Sequence, residues 1–397
     1  MDIRRIKHKT PLSCLRIANE CAKTQAKDQN FVFSPYSIQL ALSLLTNGST
    51  GSTKAELLTF LEEENLDDLN TKNGRLLDLL CKIAEGDPIL SVVGGIWIDQ
   101  SLTLKPTFKR NAEKFYKAKV DTVDFQDKAH AKEAVHKVNE WADEATNGLI
   151  KSVLPEGSFT PSTRVVLANA LFFKGRWSEE FEIDATFDSK FFLLDGNSVE
   201  VPFMYSWCDR RRIATFDDFK ILELPYGCDS FDYHMSILLP NKRDGLQPLM
   251  EMLSSDPLFM EKYIIPPISS VSVGDFRVPK FKITYGFDAI EVLKALGLQL
   301  PFSSRVKLDG IAEGLNSQVS KVIHKSYIDV NEEGTEAAGV TVKMDSEWCN
   351  SIPIRPIALV DFVADHPFMF MVRENLSGAV LFMGQVVNPC CTEGSAP

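Results

Sequence analysis

The sequence predicts an α+β fold in one large domain, and three observations carry that prediction. Amphipathic helical spacing dominates the first third, and short apolar or alternating runs dominate from Val165 onward. No Pro/Gly/Ser-rich linker, low-complexity run or internal repeat separates the two regions. The 397 residues are 44% hydrophobic and 24% charged, enough apolar material for a large core. Length alone favours two or three domains; the missing linker argues for a single unit over 1–397.

The elements follow in chain order. Ser13 to Ala26 has the spacing of an amphipathic helix. The turn residues Asn47 to Thr53 lead into a helix over Lys54–Leu61. Leu76, Leu77, Leu79, Leu80 and Ile83 mark another helix with a buried face, and Ser91 to Asp99 is strand-like. Between Lys128 and Asn147, Ala131, Val135, Val138, Ala142 and Ala145 form one stripe of a long helix that Gly148 stops. Val165–Phe173, Phe191–Leu194, Ile221–Leu224, His234–Leu239, Val271–Val273 and Lys280–Ile283 then read as strands bounded by Gly, Pro, Asp or Asn. Asp288–Leu296 is a helix ending near Gly297. Two final strands, Phe368–Val372 and Ala379–Val387, flank a turn at Asn375–Gly378.

Charge and motifs exclude several functions. The net charge of −11 offers no basic face for phosphate, so nucleic acid is not a partner. Arg210, Arg211 and Arg212 are the only notable basic cluster, expected to be a solvated loop rather than an anion site. Met1 to Lys9 is basic but lacks a following apolar stretch, so no secretory signal is expected. No run approaches the roughly 18 apolar residues that span a membrane. The eight cysteines are scattered without C-x-x-C spacing and are expected to be reduced thiols. A cytoplasmic or nucleocytoplasmic location is expected, with the extracellular space as the alternative.

No enzyme constellation is present. Walker A, G-x-G-x-x-G, G-x-S-x-G and H-E-x-x-H patterns are all missing. His130 and His136 fall on different faces of their helix, so a shared metal is not expected, and His8, His234, His324 and His366 are isolated. Glu62-Glu63-Glu64 is a solvated face. No catalytic residue, cofactor or metal is expected.

The most informative stretch is Glu332-Glu333-Gly334-Thr335-Glu336-Ala337-Ala338-Gly339-Val340-Thr341-Val342. Beyond it, Lys343 to Val360 has no sustained period and carries Pro353 and Pro356, the character of exposed irregular chain. A loop this long in a compact protein is functional or disordered, and here one end has strand composition. Thr335, Ala337, Gly339 and Thr341 form one alternate set, all small, whereas Glu336 leads the other set and would face solvent. The plainer alternative is a permanent strand over Thr335–Val342 after a turn at Gly334.

Several segments carry a family resemblance. Asn30-Phe31-Val32-Phe33-Ser34-Pro35-Tyr36-Ser37-Ile38 resembles the serpin segment that opens the helix beneath the central sheet. Asn169 to Trp177, reading Asn-Ala-Leu-Phe-Phe-Lys-Gly-Arg-Trp, is similar to the serpin strand with its Asn and Trp. Asp365-His366-Pro367-Phe368 and Leu381 to Pro389 resemble the C-terminal signature. With the hinge Gly334–Gly339 these signals span nearly the whole chain. The run Asp361 to Phe368 and the missing signal peptide are most like plant serpins of the Z type.

The resemblance implies three β-sheets, about nine helices and an exposed reactive-centre loop at about 332–360 in one monomeric domain. It implies inhibition by suicide: a protease cuts the loop, and the hinge side enters the central sheet with the enzyme still attached. The alternative is a non-inhibitory binding or storage protein on the same fold. Glu332, Glu333, Gly334, Thr335, Glu336, Ala337, Ala338 and Gly339 correspond to the hinge. Ser34, Ser37, Asn169, His324 and Trp177 correspond to residues that control sheet opening. By family spacing the hinge Gly is fifteenth before the scissile bond, which makes that bond Trp348–Cys349 and implies a chymotrypsin-like target. A papain-like cysteine protease is the other target class. Gly334 to Phe368 is about three residues longer than in typical plant members, which could shift the bond as far as Ser351–Ile352. Arg355 is the minor candidate, because Pro356 after it makes a poor protease substrate. Acidic residues between Glu62 and Leu77 stand where heparin-activated serpins carry a basic helix, so heparin is not expected.

Overall fold

The computed structural model describes residues 12–83, 88–227, 233–315, 317–335 and 359–395. Its helices are α1 (Leu12–Lys23), α2 (Pro35–Gly48), α3 (Gly51–Phe60), α4 (Leu66–Ile83), α5 (Pro106–Tyr116), α6 (Lys128–Ala145), α7 (Leu246–Ser255) and α8 (Ile290–Ala295). A π-helical turn, Met260–Ile264, brings the described helical segments of five residues or more to nine, as expected.

The central sheet has seven strands. In spatial order they are β19 (Glu393–Ser395), β12 (Phe281–Asp288), β14 (Lys321–Val330), β15 (Gly334–Thr335), β5 (Val165–Arg176), β2 (Ile89–Asp99) and β4 (Lys119–Val123). A path of nine strands, with a tenth beside it, forms the rest. Its first section runs β1 (Phe31–Phe33), β18 (Val380–Val386), β17 (Phe368–Glu374), β10 (Tyr233–Pro240), β9 (Phe219–Tyr226) and β8 (Arg210–Thr215). It continues into a second section of β11 (Ser270–Pro279), β7 (Ser198–Met204) and β6 (Phe187–Phe192), with β16 (Val360–Val363) parallel to β11. These make the three expected sheets; a short pair, β13 (Ala312–Glu313) and β3 (Thr103–Leu104), lies apart.

Helix α2 ties two sheets together. Nearly every one of its residues is buried, because it packs against β18 on one side and against β5 and β2 on the other. A helix apolar all round is stable only in such a position. The Ser34 hydroxyl starts it by accepting the Ser37 N–H, and Pro35 fits the first turn, where no N–H is needed. On the opposite face of the central sheet, α6 begins at Asp127 and buries Val135, Val138 and Ala142 against Trp97, Val166 and Ala168. In the chain's middle layers, β10 and β17 are buried along their whole length.

Three sequence expectations are corrected. Arg210, Arg211 and Arg212 are not in a solvated loop but in β8, where Arg211 is 5% exposed. Its guanidinium bonds Glu179 and Ser206 and lies over the Phe276 ring at 5.2 Å, so one charge is neutralised and its plane covered by an aromatic. The turn expected over Asn47–Thr53 shrinks to Ser49 and Thr50, since α2 runs through Gly48 and α3 starts at Gly51. The strand expected over Phe191–Leu194 lies earlier, at Phe187–Phe192. Among the described cysteines, Cys14, Cys21, Cys208, Cys390 and Cys391 are free thiols. His130 pairs with Asp124 and His136 with Glu140, on separate parts of the α6 surface.

Candidate functional site

The site is a seam in the central sheet. β5 and β14 pair directly and in parallel from Val166/Lys321 to Leu171/Ser326. Beyond that stretch they part, and Gly334 and Thr335 lie between them as β15. Thr335 sits opposite Val330 of β14 and Gly175 of β5. The two ends of the seam are held by different groups.

At the open end, backbone geometry selects glycine. A Cβ on Gly334 would lie 2.1 Å from the Gly175 carbonyl oxygen, so the chain can turn into the sheet only without a side chain. The turn itself is made by Asn331, whose Oδ1 accepts the N–H groups of Glu333 (3.1 Å) and Gly334 (3.2 Å). Thr335 is 1% exposed, and its hydroxyl meets the Tyr226 hydroxyl at 2.6 Å. Tyr226 stacks on Trp177 with ring centroids 4.5 Å apart. Trp177 in turn donates its indole N–H to Asn331 O at 2.9 Å and its backbone N–H to Glu333 O at 2.9 Å. This one aromatic therefore braces both the turn and the inserted residue.

Glu332 anchors the turn from the other side. Its carboxylate pairs with Lys280 at 2.8 Å and accepts the Thr186 hydroxyl at 2.7 Å. Burial pushes its pKa up, but the hydrogen bonds from Lys280 and Thr186 outweigh it and hold the carboxyl below its ordinary value. Glu180 nearby is raised, by burial first and then by the like charge of Glu333.

At the closed end, His324 lies on β14 opposite Asn169 on β5, directly above the start of α2. The Ser34 N–H donates to His324 Nε2 at 2.9 Å, and the Ser326 hydroxyl lies 2.8 Å from the same nitrogen. Complete burial lowers the imidazole pKa to about 3, so the ring is neutral. With Nε2 accepting, the proton sits on Nδ1, which is buried without a partner. Asn169 Nδ2 is likewise buried and unpaired. Ser34, Ser37 and His324 thus form one bonded cluster. Asn169 shares their layer by register but contributes no hydrogen bond to them. Ser326 was not legible as a partner, although two-residue periodicity from His324 points its side chain to the same face.

Glu336, Ala337, Ala338, Gly339 and the bond candidates Trp348, Cys349, Ser351 and Arg355 lie outside the described residues. Among the described residues no His/Cys/Asp/Glu group could hold a metal, and no helix is long and apolar enough to cross a membrane.

The seam thus pairs β14 with β5 at one end and holds Gly334 and Thr335 between them at the other, and comparison decides the family. The sequence model described as Serpin (serine protease inhibitor) matches residues 13–389. The chain belongs to the serpin family. This serpin is 43% identical to Serpin-ZX of Arabidopsis thaliana over 387 residues, covering 94% of this chain and 96% of that one. It is 46% identical to Serpin-ZXA of Oryza sativa subsp. japonica over 369 residues, covering 91% and 90%. The structure of Arabidopsis AtSerpin1 in its native stressed conformation matches it with a TM-score of 0.87 at 40% identity, covering 98% of this chain and 100% of that one. Its relatives are plant serpins of the Z type, and it is a serpin-type protease inhibitor whose implied partner is a target protease.

Proposed function

We propose that this serpin traps its protease as a suicide substrate, by driving the segment after Thr335 down the seam between β14 and β5. The single observation that carries this reading is the forked pairing: the two strands are parallel neighbours below Ser326 and already admit Gly334 and Thr335 above it. A protease serine or cysteine attacks the loop carbonyl, the amine side leaves, and an acyl-enzyme ester or thioester joins the loop to the enzyme. Freed from its far anchor, the hinge side adds to the sheet before water cleaves the ester. About a dozen new backbone hydrogen bonds at roughly 1 kcal/mol each favour insertion by on the order of 10 kcal/mol. Parting the seam requires displacing the Ser34–His324 contact, which gives that cluster, with Trp177 at the other end, the role of setting how readily the sheet opens.

The bond is assigned to Trp348–Cys349, with a chymotrypsin-like target for the apolar side chain at Trp348 and a papain-like cysteine protease as the other class. A monomer that needs no heparin completes the reading. The test is incubation with a panel of serine and cysteine proteases, followed by denaturing gels and mass measurement of the released C-terminal peptide. An SDS-stable complex and a peptide beginning at Cys349 support both assignments. A peptide beginning at Ile352 or Pro356 moves the bond and leaves the mechanism standing. Cleavage with no complex and no gain in melting temperature overturns the mechanism and favours the non-inhibitory binding or storage protein.

A further inference from the structure

Trp207 is 75% exposed, the most open of the large apolar side chains in the described residues. Trp207 is not isolated on the surface. Its ring meets Tyr205 edge-on at 5.1 Å, and Tyr205 O accepts the Glu182 N–H at 3.1 Å. The neighbouring Ser206 hydroxyl is bonded by Arg211, which is itself tied to Glu179 and covered by Phe276. The buried arginine of β8 therefore holds the short β7–β8 connection that displays Trp207.

That connection lies between the two bases of the loop. On one side, Glu179 stands two residues after Trp177, whose N–H binds Glu333 O at the hinge. On the other, Asp209 O accepts the Val273 N–H, and Val273 is the register partner of Val360 on β16. Two strand spacings, about 10 Å, separate Asp209 from Val360. Leu359, the first described residue after the loop, is 62% exposed and lies against Gly274 beside Val273. An open tryptophan and an open leucine thus stand on segments that β11 joins, Trp207 on the connection bonded to Val273 and Leu359 beside Val360.

We propose that Trp207, supported by Tyr205 and joined by Leu359, is a secondary docking contact for the target protease, engaged before the loop bond is cut. This rests on the inhibitory reading above and adds a contact outside the loop to it. The occupant is the protease because the connection that carries Trp207 is tied both to the chain that enters the loop, through Glu182 beside Phe181 and Glu332, and to the chain that leaves it, through Val273 and Val360. Tryptophan is a residue type that dominates interface energetics, and the ring contact with Tyr205 limits the ordering cost of binding.

The test uses the full chain, wild type, Trp207→Ala and Trp207→Phe, each checked for an unchanged melting temperature. Affinity is measured for protease whose catalytic nucleophile has been replaced by alanine, so that docking is read without chemistry. Active protease then gives the association rate and the stoichiometry of inhibition. The expected result is binding at least tenfold weaker for Trp207→Ala, the size of a hot-spot truncation. The association rate should fall with it, Trp207→Phe should be largely restored, and the stoichiometry should not change. Equal affinity and equal rate for the alanine variant overturn the docking contact while leaving the trap intact. If wild type forms no covalent complex, the inhibitory reading fails, and the inactive-protease affinities still decide the contact: a tenfold loss supports it and equality overturns it.

Discussion

Thr335 is where the mechanism can be tested most sharply, because this residue is already inside the sheet before any cleavage. Replacing it with arginine removes the hydroxyl that meets Tyr226 at 2.6 Å and sets a cation between Val330 and Gly175. Leaving the buried Tyr226 hydroxyl unpaired costs about 1–3 kcal/mol, and an unpaired buried charge adds several more. The sum is on the order of 5 kcal/mol. In the uncut protein the chain can avoid it by withdrawing Gly334 and Thr335 from the seam. After cleavage it cannot, since the inserting strand must pass the arginine back through the same position. If half of that penalty is felt at the barrier, insertion slows about 70-fold, at 1.36 kcal/mol per factor of ten. Deacylation then wins, and the inhibitor becomes a substrate. Thr335→Ser, which keeps the hydroxyl, should inhibit like wild type, and Thr335→Val should fall between. The assay is the stoichiometry of inhibition together with the yield of SDS-stable complex against a protease that wild type traps. An arginine variant that still traps one enzyme per inhibitor refutes the insertion route described here.

Other consequences are milder. Glu332→Gln removes the charge that pairs with Lys280; because Lys280 remains partly open to water, the loss should be about 1 kcal/mol in urea unfolding at pH 7. The folded carboxyl lies below its ordinary value, so its stabilisation is present above the unfolded pKa of about 4.3 and fades as pH falls through the folded one. The gap between wild type and variant should therefore close in acid, and a gap that persists there would contradict the ion-pair account. His324 has the same sign for a different reason: burial lowers its pKa to about 3, so the unfolded chain binds the extra proton once pH drops below about 6.5. Wild-type stability should fall between pH 7 and 4.5, and His324→Gln should flatten that part of the profile in denaturant titrations.

How much of this was legible beforehand differs element by element. The α6 stripe from Ala131 to Ala142 was readable because one helix face meets one sheet, and an amphipathic period records that directly. Helix α2 gives no such period, since sheets cover it on both sides; what marked it was the Ser34-Pro35 start carried by the resemblance. Strand β14 was missed as a strand, although His324 within it was singled out, because its buried and half-open residues alternate through Lys, His and Ser rather than a clean apolar series. The arginine run misled for a related reason. Charge predicts solvent only when no carboxylate and aromatic are waiting for it, and Glu179 and Phe276 come from distant parts of the chain.

The sequence by itself determined the α+β class, the family resemblance and the small side chain of Thr335, which the structure buries. Each of these rests on local spacing or residue size. Only the tertiary structure decided that Gly334 and Thr335 are already seated between β14 and β5, that Trp177 and Tyr226 brace them, and that Arg211 is a buried prop beneath an exposed tryptophan. The seating of Thr335 depends on a contact between residues more than a hundred positions apart, Tyr226 and Thr335, and the other contacts join separate strands and turns. Residue order sets which groups are available, and only closure of the sheets brings them within hydrogen-bond reach.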